Sequence, residues 1–487
     1  MTDIQNGGFM DSHVTLSAWQ FALLLLLATW AAVGSLLIPG VRWFLRRKVN
    51  RMIDELNSRL ELKIPPFKLT KRQALVDRLT YDPEVMEAAD DFAEKNHITT
   101  AEAMAKAGFY AQEIVPSFNA YAYFRIAYLM ARWTAGMLFR VQLGAGRDDK
   151  LDHVDPHASV VFVMNHRSNI DYILVAYLVA TKSAVSYAVG EWARIWPLQA
   201  LIQTLGAYFI RRGGGDPLYR KVLSRYVRMA IEGGVTQAVY PEGRLSRDGA
   251  LQKPRMGLLG YMLTGYSQSC PRDILFVPVG INYDRVLEDR SLARYLDPKA
   301  GKKSLAASLF TTASFIAKNL WLMATRRWYS FGYAGVNFGR PVSVKQRMME
   351  RGIDYSTMDK ETFFIEVEKL ADELMEEIGR VIPVTPVALV ARAFEQAGET
   401  RLDRLELLSR TQKMIEHLEE AGVGVFIPKG DREYAMTVGL RTLLLRRLAL
   451  EEDGLMRANP SEVTLLRYYA NSIAHLFPGQ NEGKVSS

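Results

Sequence analysis

His166 and Asp171, five residues apart, are the side chains of this sequence whose types and spacing best suit acid–base chemistry. An aspartate that accepts a hydrogen bond from one imidazole nitrogen fixes the histidine tautomer and supports the imidazolium, so the other nitrogen can act as a general base. A structural role fits the same spacing, because Ser168 is a good N-cap and Asp171 would then stand at the third helical position of a capping box. The pair alone leaves both interpretations open, since short motifs often match by chance.

The residues around this pair predict a strand, a short turn and a helix. Residues 160–164 form an apolar run rich in valine, which is typical of a buried strand. After a polar break, apolar side chains recur at helical spacing, at Ile170, Ile173, Leu174, Tyr177 and Leu178. His166 is therefore predicted in the turn at the carboxyl end of the strand. Asp171 is predicted in the first turn of the helix, where the chain can fold the two side chains together.

Further strands and helices alternate along the chain. Strands are predicted at residues 184–189, 206–212, 237–240 and 274–279, and helices at residues 192–205 and 219–233. This alternation favours an α/β fold with a largely parallel sheet flanked by helices, whose sites lie beyond the carboxyl ends of the strands. Two further strand ends carry arginines: Arg211 beside Arg212 and, after Gly243, Arg247. We expect these guanidinium groups to converge with His166 as an anion site, although a solvated sheet edge also explains paired arginines.

Composition limits the classes of partner and cofactor. The chain has 487 residues, which implies two or three domains, and a formal net charge of +8, which suits phosphate substrates, acidic carrier proteins or an anionic membrane face. No known nucleic-acid motif is present, so nucleic acid is not an expected partner. Cys270 is the one cysteine, which excludes an internal disulfide and a cysteine-based metal cluster. No metal is expected, because the acidic and histidine residues near His157 fit a solvated loop better than a metal site.

A membrane segment is predicted near the start of the chain. Residues 16–38 contain no charged side chain and are long enough to span a bilayer, which takes about 20 apolar residues. Basic residues follow at once, at Arg42, Arg46, Arg47, Lys48 and Arg51. The positive-inside rule then predicts that the chain from Arg42 onward is cytoplasmic. A buried or interfacial helix is the alternative, and the apolar residues 304–325 likewise fit either an interfacial helix or a core helix.

We therefore predict four parts: an N-terminal tail and transmembrane helix (1–48), a helical N-terminal region (49–150), an α/β domain (151–350) and a helical C-terminal domain (351–487). Basic residues such as Lys68, Lys71 and Arg72 in the second part suit a body that rests on anionic headgroups, or simply a solvated face.

Four blocks, in this order, resemble the glycerol-3-phosphate acyltransferase family. They are His166 with Asp171; Gly206, Phe209, Ile210, Arg211 and Arg212; Glu242, Gly243, Ser246 and Arg247; and Pro278 leading to Tyr283. Residues 335–341, 384–390 and 466–475 resemble the family's later signatures. The third block departs from the family pattern, because Leu245 stands directly before the serine where an arginine is usual, and Arg244 stands one position earlier.

The resemblance implies the fold of the glycerolphosphate acyltransferases and a site within it. It implies His166 as general base and Asp171 as its orienting partner, with Glu242 and Gly243 as further catalytic residues. Glu242 could bind an acceptor hydroxyl or hold Arg247. Substrate contacts are implied for Arg167, Phe209, Ile210, Arg211, Arg212, Ser246, Arg247 and Pro278.

The activity implied is that of a glycerol-3-phosphate 1-O-acyltransferase at the cytoplasmic face of the inner membrane. Such an enzyme transfers a fatty acyl group from acyl-CoA or acyl carrier protein to glycerol 3-phosphate. The product is lysophosphatidate, at the first step of phospholipid synthesis, and no cofactor beyond the co-substrate is needed. Two alternatives remain: an acyltransferase for dihydroxyacetone phosphate or lysophosphatidate, and a non-catalytic membrane protein that binds lipid or phosphate.

Overall fold

The computed structural model describes residues 64–144, 155, 157–179, 183–190, 198–211, 215–294 and 331–477. The predicted transmembrane segment (16–38), Arg212 and the apolar segment 304–325 lie outside the described residues. In the parts of the chain that the structure describes, none of the helices combines the length and the apolar character needed to cross a bilayer.

The described residues contain one mixed sheet whose strands are mostly parallel. The strands are β1 (Arg140–Leu143), β2 (Ser159–Met164), β3 (Ser186–Gly190), β4 (Tyr208–Ile210), β5 (Gln237–Val239), β6 (Ile274–Tyr283), β7 (Tyr333–Phe338) and β8 (Val342–Ser343). Their order is β1-β7-β6-β2-β5-β3-β4, and β8 pairs with β6. Only the pairings of β6 with β7 and with β8 are antiparallel. The predicted α/β class with a largely parallel sheet is confirmed.

Strand β2 lies in the middle of this sheet. It pairs in parallel with β6 on one side, where Val163 lies opposite Pro278, and with β5 on the other, where Val161 lies opposite Gln237. All of its residues are buried. A parallel strand covered on both faces needs a continuous apolar run, and the valines of β2 supply one. His166 therefore follows the carboxyl end of a central strand.

Helices cover both faces of the sheet. Before β2 lie α1 (Pro66–Leu69), α2 (Arg72–Thr80), α3 (Pro83–Asn96), α4 (Thr100–Ile114), a π-helical segment (Ala122–Ala127) and α5 (Tyr128–Leu138). Between the strands lie α6 (Asp171–Val179), α7 (Leu198–Thr204), α8 (Pro217–Glu232), α9 (Gly257–Leu263) and α10 (Asp289–Arg294). After β8 follow α11 (Val344–Arg351), α12 (Lys360–Val381), α13 (Pro386–Ala397), α14 (Arg404–Glu420), α15 (Arg432–Leu445) and α16 (Val463–Ala470).

Two apolar clusters divide along the alternation of side chains in β2. Phe162 and Met164 belong to a first cluster with residues of α6 and α13. Val161 and Val163 belong to a second cluster with residues of α2, α3, α4, α8, α9 and α12. Successive side chains of a strand point to opposite faces, so each cluster marks one face of the sheet.

The structure differs from the sequence-based prediction at three places. Residues 49–150 were expected to be helical, yet they contain β1, which pairs with β7. The helical C-terminal domain contains a hairpin of two strands, β9 (Ala449–Glu452) and β10 (Leu455–Ala458), whose turn residues Asp453 and Gly454 both have positive φ, as a tight hairpin turn requires. Lys68, expected on a basic surface, is buried: its ammonium donates to Ala184 O at 2.7 Å. The four domain boundaries remain predictions.

Candidate active site

Asp171 is the centre of the hydrogen bonds in the turn between β2 and α6. Its Oδ2 accepts from His166 Nδ1 at 2.9 Å, from the Arg167 backbone N–H at 2.8 Å and from the Ser168 backbone N–H at 3.0 Å. Its Oδ1 accepts from the Tyr283 hydroxyl at 2.6 Å. Asp171 is fully buried. The two interpretations left open by the sequence therefore hold together, since one carboxylate both binds the turn before its helix and orients the imidazole.

This geometry assigns the histidine tautomer. An ionised carboxylate can only accept hydrogen bonds, so Nδ1 of His166 carries the proton and Nε2 is the nitrogen that can take one up. The ring stacks on Tyr240, with centroids 4.0 Å apart, and meets the edge of Tyr172 at 5.6 Å. Burial raises the pKa of both tyrosine hydroxyls, so the neighbouring rings are neutral. The imidazole is thus held by a carboxylate on one side and by aromatic packing on the other.

The third block folds directly against His166. Glu242 accepts from the His166 backbone N–H through Oε1 at 2.8 Å and from the Gln252 backbone N–H through Oε2 at 3.1 Å. The Ser246 backbone N–H donates to His166 O at 3.0 Å. Burial raises the pKa of Glu242 to about 7, and the two backbone N–H groups oppose that shift. In this structure Glu242 positions the backbone of the turn between β2 and α6.

Gly243 and Ser246 shape the loop that carries Glu242. Gly243 has φ +67°, and a Cβ there would lie 2.8 Å from Arg255 Cδ, so the residue satisfies a backbone and packing requirement of the loop. Ser246 is buried and its hydroxyl donates to Ala250 O at 2.7 Å. Arg247, by contrast, is exposed. Of these predicted residues, Arg247 is the exposed one that carries a positive charge.

Arg211 lies on the other side of the sheet from the His166 ring. Its guanidinium donates two hydrogen bonds to Glu113, at 2.8 and 2.6 Å, which raise the pKa of Arg211. It also lies over the rings of Tyr110 and Tyr219, at 4.8 and 4.9 Å. Both tyrosines belong to the second apolar cluster, whereas Tyr240 belongs to the first. Strand β4 is three places from β2 in the sheet, or about 14 Å at the usual strand spacing. The structure therefore does not bring Arg211 into contact with His166.

The comparisons with known proteins agree with these blocks. Residues 147–282 match the acyltransferase family, and residues 319–479 match the glycerol-3-phosphate acyltransferase C-terminal region. The predicted family resemblance is confirmed. Proteins named glycerol-3-phosphate acyltransferase are similar: one from Shewanella pealeana is 28% identical over 84% of this chain and 51% of its own length, and one from Pseudomonas entomophila is 28% identical over 84% and 49%. A third, from Xanthomonas axonopodis, is 26% identical over 88% and 49%.

The chain spans about half the length of the curated relatives it matches. A solved 1-acyl-sn-glycerophosphate acyltransferase from Thermotoga maritima shares 15% identity with a TM-score of 0.30, over 60% of this chain and 94% of that one. That structural similarity is too weak to support an argument about fold or function.

Several residues predicted to bind substrate lie in the interior of the protein. Arg167 is buried, donates through Nη1 to Gly249 O, and places its guanidinium 4.8 Å from the ring centre of Tyr468 in α16. Phe209 and Pro278 are buried within strands β4 and β6, and Ile210 is partly buried. Arg212 lies outside the described residues. Arg167, Phe209 and Pro278 are thus interior residues of this structure.

Two further residues hold the turn between β2 and α6 in place, although the sequence did not single them out as site residues. Tyr283, at the end of the fourth block, donates to Asp171 as described above. Glu288 accepts from the Ser168 hydroxyl at 2.6 Å and from the backbone and side-chain nitrogens of Asn169 at 3.2 and 3.1 Å. Burial raises the pKa of Glu288. In the sequence Glu288 stands among several charged residues, and nothing in their spacing distinguishes it from an ordinary glutamate on the protein surface.

The described part of the candidate site can therefore hold a base in one orientation. His166 has a fixed tautomer, a fixed ring plane and backbone contacts on both its N–H and its C=O. Among the residues that the structure describes, no cluster of three histidine, cysteine or acidic side chains is arranged to bind a metal ion. The chemistry open to the site itself is proton abstraction from a hydroxyl group placed at Nε2.

Proposed function

We propose that this chain is an O-acyltransferase that moves a fatty acyl group from a thioester to glycerol 3-phosphate. The donor is acyl-CoA or acyl carrier protein, the reacting group is the sn-1 hydroxyl, and the product is lysophosphatidate, at the first step of phospholipid synthesis. The observation that carries the proposal is the hydrogen bond between His166 Nδ1 and Asp171, which leaves Nε2 as the basic nitrogen beyond the end of a central strand. The relatives' shared name, glycerol-3-phosphate acyltransferase, supports the choice of acceptor.

The proposed reaction needs a base because an alcohol is barely ionised near neutral pH. His166 Nε2 takes the hydroxyl proton as the oxygen attacks the thioester carbonyl carbon. The bond from carbon to sulfur then breaks, and the leaving thiolate takes the proton from the imidazolium. Asp171 stabilises the imidazolium through Nδ1 while it carries the extra charge. No covalent acyl-enzyme is required, because a thiolate is a good leaving group.

The acceptor phosphate requires cationic side chains, and the candidates are Arg211, Arg212 and Arg247. Arg211 is paired with Glu113, so phosphate binding there requires Glu113 to give up at least one of its two hydrogen bonds. Arg247 is exposed and follows the loop that Glu242 ties to His166. We propose Arg247 as the phosphate contact for an acceptor held at His166, because β4, which Arg211 follows, lies about 14 Å from β2, farther than glycerol 3-phosphate reaches.

We also propose that the protein acts at the cytoplasmic face of the inner membrane. The uncharged residues 16–38 and the basic residues that follow them support this location, together with the net charge of +8. The lipid product and the long-chain donor are amphiphilic, so a membrane location also brings the enzyme to the phase in which they concentrate.

The deciding experiment is a competition assay in which glycerol 3-phosphate, dihydroxyacetone phosphate and lysophosphatidate compete for one labelled acyl donor. We expect glycerol 3-phosphate to be acylated with the highest kcat/KM. Preference for lysophosphatidate would overturn the proposed acceptor, and no transfer to any of the three would favour a non-catalytic protein.

His166→Ala should lower kcat by about 10²–10⁴-fold, the usual contribution of a general base. The expected cause is loss of proton abstraction in a protein that still folds, as checked by its thermal unfolding. The matched control is His157→Ala, because His157 is an exposed histidine just before β2. Equal turnover in the two variants would remove His166 from the mechanism.

A further inference from the structure

Helix α5 and the π-helical segment before it expose an unusual set of side chains. Ile126, Leu129, Met130 and Trp133, which we call the α5 face, have 48, 57, 55 and 63% of their surface exposed. Helices of water-soluble proteins normally direct large apolar side chains inward and polar ones outward. Here four large apolar side chains face outward, and contiguous exposed apolar surface of this kind marks an interaction site.

The inward side of the same helix explains why the large residues point outward. Ala131 and Ala135 are the buried positions of α5, and α5 packs against α6. Tyr128 of α5 meets Tyr177 of α6 with ring centroids 6.0 Å apart. The buried positions of this close-packed helix hold alanines, and a side chain as large as Leu129 or Trp133 would not fit in their place. The exposed apolar side chains of α5 therefore form a surface separate from the side of the helix that packs in the core.

The charges beside the α5 face identify the kind of partner. Arg125 and Arg132 are exposed on the same helical segment. From residue 114 to residue 147 the chain contains four arginines, the other two being Arg140 and Arg147, and no aspartate or glutamate. A second copy of the chain related by a twofold axis would bring these like charges together around a shared apolar patch. An anionic lipid surface offers apolar chains for the face and phosphates for the guanidinium groups.

We propose that the α5 face is an interfacial membrane-binding surface that lies in the headgroup region of an anionic bilayer. Leu129, Met130 and Trp133 enter the apolar boundary, to a depth of roughly 5–10 Å as is usual for such helices. Arg125 and Arg132 extend back to the lipid phosphates. Tryptophan suits this depth because its ring is largely apolar but carries one N–H donor.

The position of the α5 face gives it a role in the proposed reaction. Helix α5 packs against α6, whose first residue is Asp171, and Ile173 in the first turn of α6 is itself partly exposed. A bilayer that touches the α5 face therefore lies along the same helix pair that carries the orienting carboxylate. This arrangement allows an acyl chain to remain in the lipid while its thioester reaches the base. The inference deepens the proposed membrane location and rests on it.

The test uses the full chain with Cys270→Ser, so that an introduced cysteine can carry a polarity-sensitive fluorophore. Leu129→Cys reports on the α5 face, and Leu405→Cys in α14, where 78% of the leucine surface is exposed, is the matched control. Each labelled protein is mixed with vesicles of phosphatidylglycerol and phosphatidylcholine, with and without brominated acyl chains. Flotation of the same samples measures whether the protein binds vesicles at all.

We expect the probe at position 129 to shift to the blue and to lose at least half of its emission to brominated lipid, while the probe at position 405 changes little. Replacing phosphatidylglycerol by phosphatidylcholine, or combining Arg125→Gln with Arg132→Gln, should weaken the quenching at least twofold. Protein that floats with no quenching at position 129 overturns this inference alone. A blue shift without quenching by bromine indicates a second protein copy on the face and also overturns it. Failure to float overturns the membrane location together with the inference.

Discussion

Removing the hydroxyl of Tyr283 tests how far Asp171 depends on a residue 112 positions away in sequence. The hydroxyl donates to Asp171 Oδ1 at 2.6 Å, and both side chains are fully buried. Tyr283→Phe leaves the ring packing in place and removes one donor. The other hydrogen bonds of Asp171 are all accepted by Oδ2. In Tyr283→Phe, Oδ1 therefore loses the hydrogen bond from Tyr283, and burial keeps water from replacing it.

The magnitude follows from the kind of hydrogen bond that is lost. A hydrogen bond to a charged group contributes roughly 1.5–3 kcal/mol, and burial prevents water from replacing it. We therefore expect the free energy of unfolding to fall by about 2 kcal/mol. With Oδ1 released, the carboxylate can rotate away from His166. If about 1.4 kcal/mol of the loss is expressed in the transition state, kcat falls about tenfold.

The assay combines thermal unfolding with steady-state acylation of glycerol 3-phosphate. The matched control is Tyr187→Phe, because the Tyr187 hydroxyl is buried without a hydrogen-bond partner among the described residues and its ring packs in the same apolar cluster. Tyr187→Phe should leave both stability and kcat nearly unchanged. If Tyr283→Phe matched that control in both measurements, the hydrogen bond to Asp171 would contribute neither to stability nor to kcat, and the prediction would be wrong.

Three further predictions concern other parts of the site. Burial raises the pKa of Glu242 to about 7 from 4.5, so between those pH values the folded protein holds a proton that the unfolded chain has lost. The free energy of unfolding should therefore fall as pH rises through this window. Thermal melts of Glu242→Gln should show a weaker dependence on pH. Gly249→Ala should cost at least about 2 kcal/mol, because φ is +83° and its Cβ would lie 1.8 Å from Tyr468 O, whereas Gly257→Ala, with open space around it, should cost little. Arg247→Ala should raise KM for glycerol 3-phosphate about tenfold, as expected for the loss of one charge-assisted hydrogen bond, and leave KM for the donor unchanged; a change confined to the donor would assign Arg247 to coenzyme A.

The strand, turn and helix around His166 were predictable from local sequence. Residues 160–164 are apolar without interruption, and the helical spacing after Ile170 is regular, so local propensity and tertiary structure agree. The predicted place of Asp171, in the first turn of the helix, is confirmed by α6, which begins at that residue. Helix capping and orientation of His166 looked like alternative roles for Asp171 in the sequence. One carboxylate has enough acceptor sites for both, but only the three-dimensional arrangement shows that it uses them.

Contacts between distant residues were not predictable. The Arg167 guanidinium donates to Gly249 O, 82 residues away, and lies over the ring of Tyr468, 301 residues away, so no local pattern distinguishes a buried arginine here from one that binds phosphate. Lys68 was expected on the surface because the contacts that bury it are also distant in sequence. Its ammonium donates to the carbonyl of Ala184 and lies 4.4 Å from the ring centre of Phe118. Strand β1 escaped detection because it is short, mostly exposed and paired on one side in the sheet.

The burial of Arg167 has a physical explanation in the carboxylates around it. Asp171, Glu242 and Glu288 all accept hydrogen bonds within one turn of chain, and concentrating negative charge in a buried place is costly. The positive charge of Arg167 opposes the effect of burial on the pKa of Glu242 and on that of Tyr283. Two guanidinium nitrogens, Nε and Nη2, have no hydrogen-bond partner in the described structure, so the charge is not committed to any single carboxylate. Arg167 is therefore better explained as the counter-charge that allows several acids to surround His166 than as a ligand for the substrate phosphate.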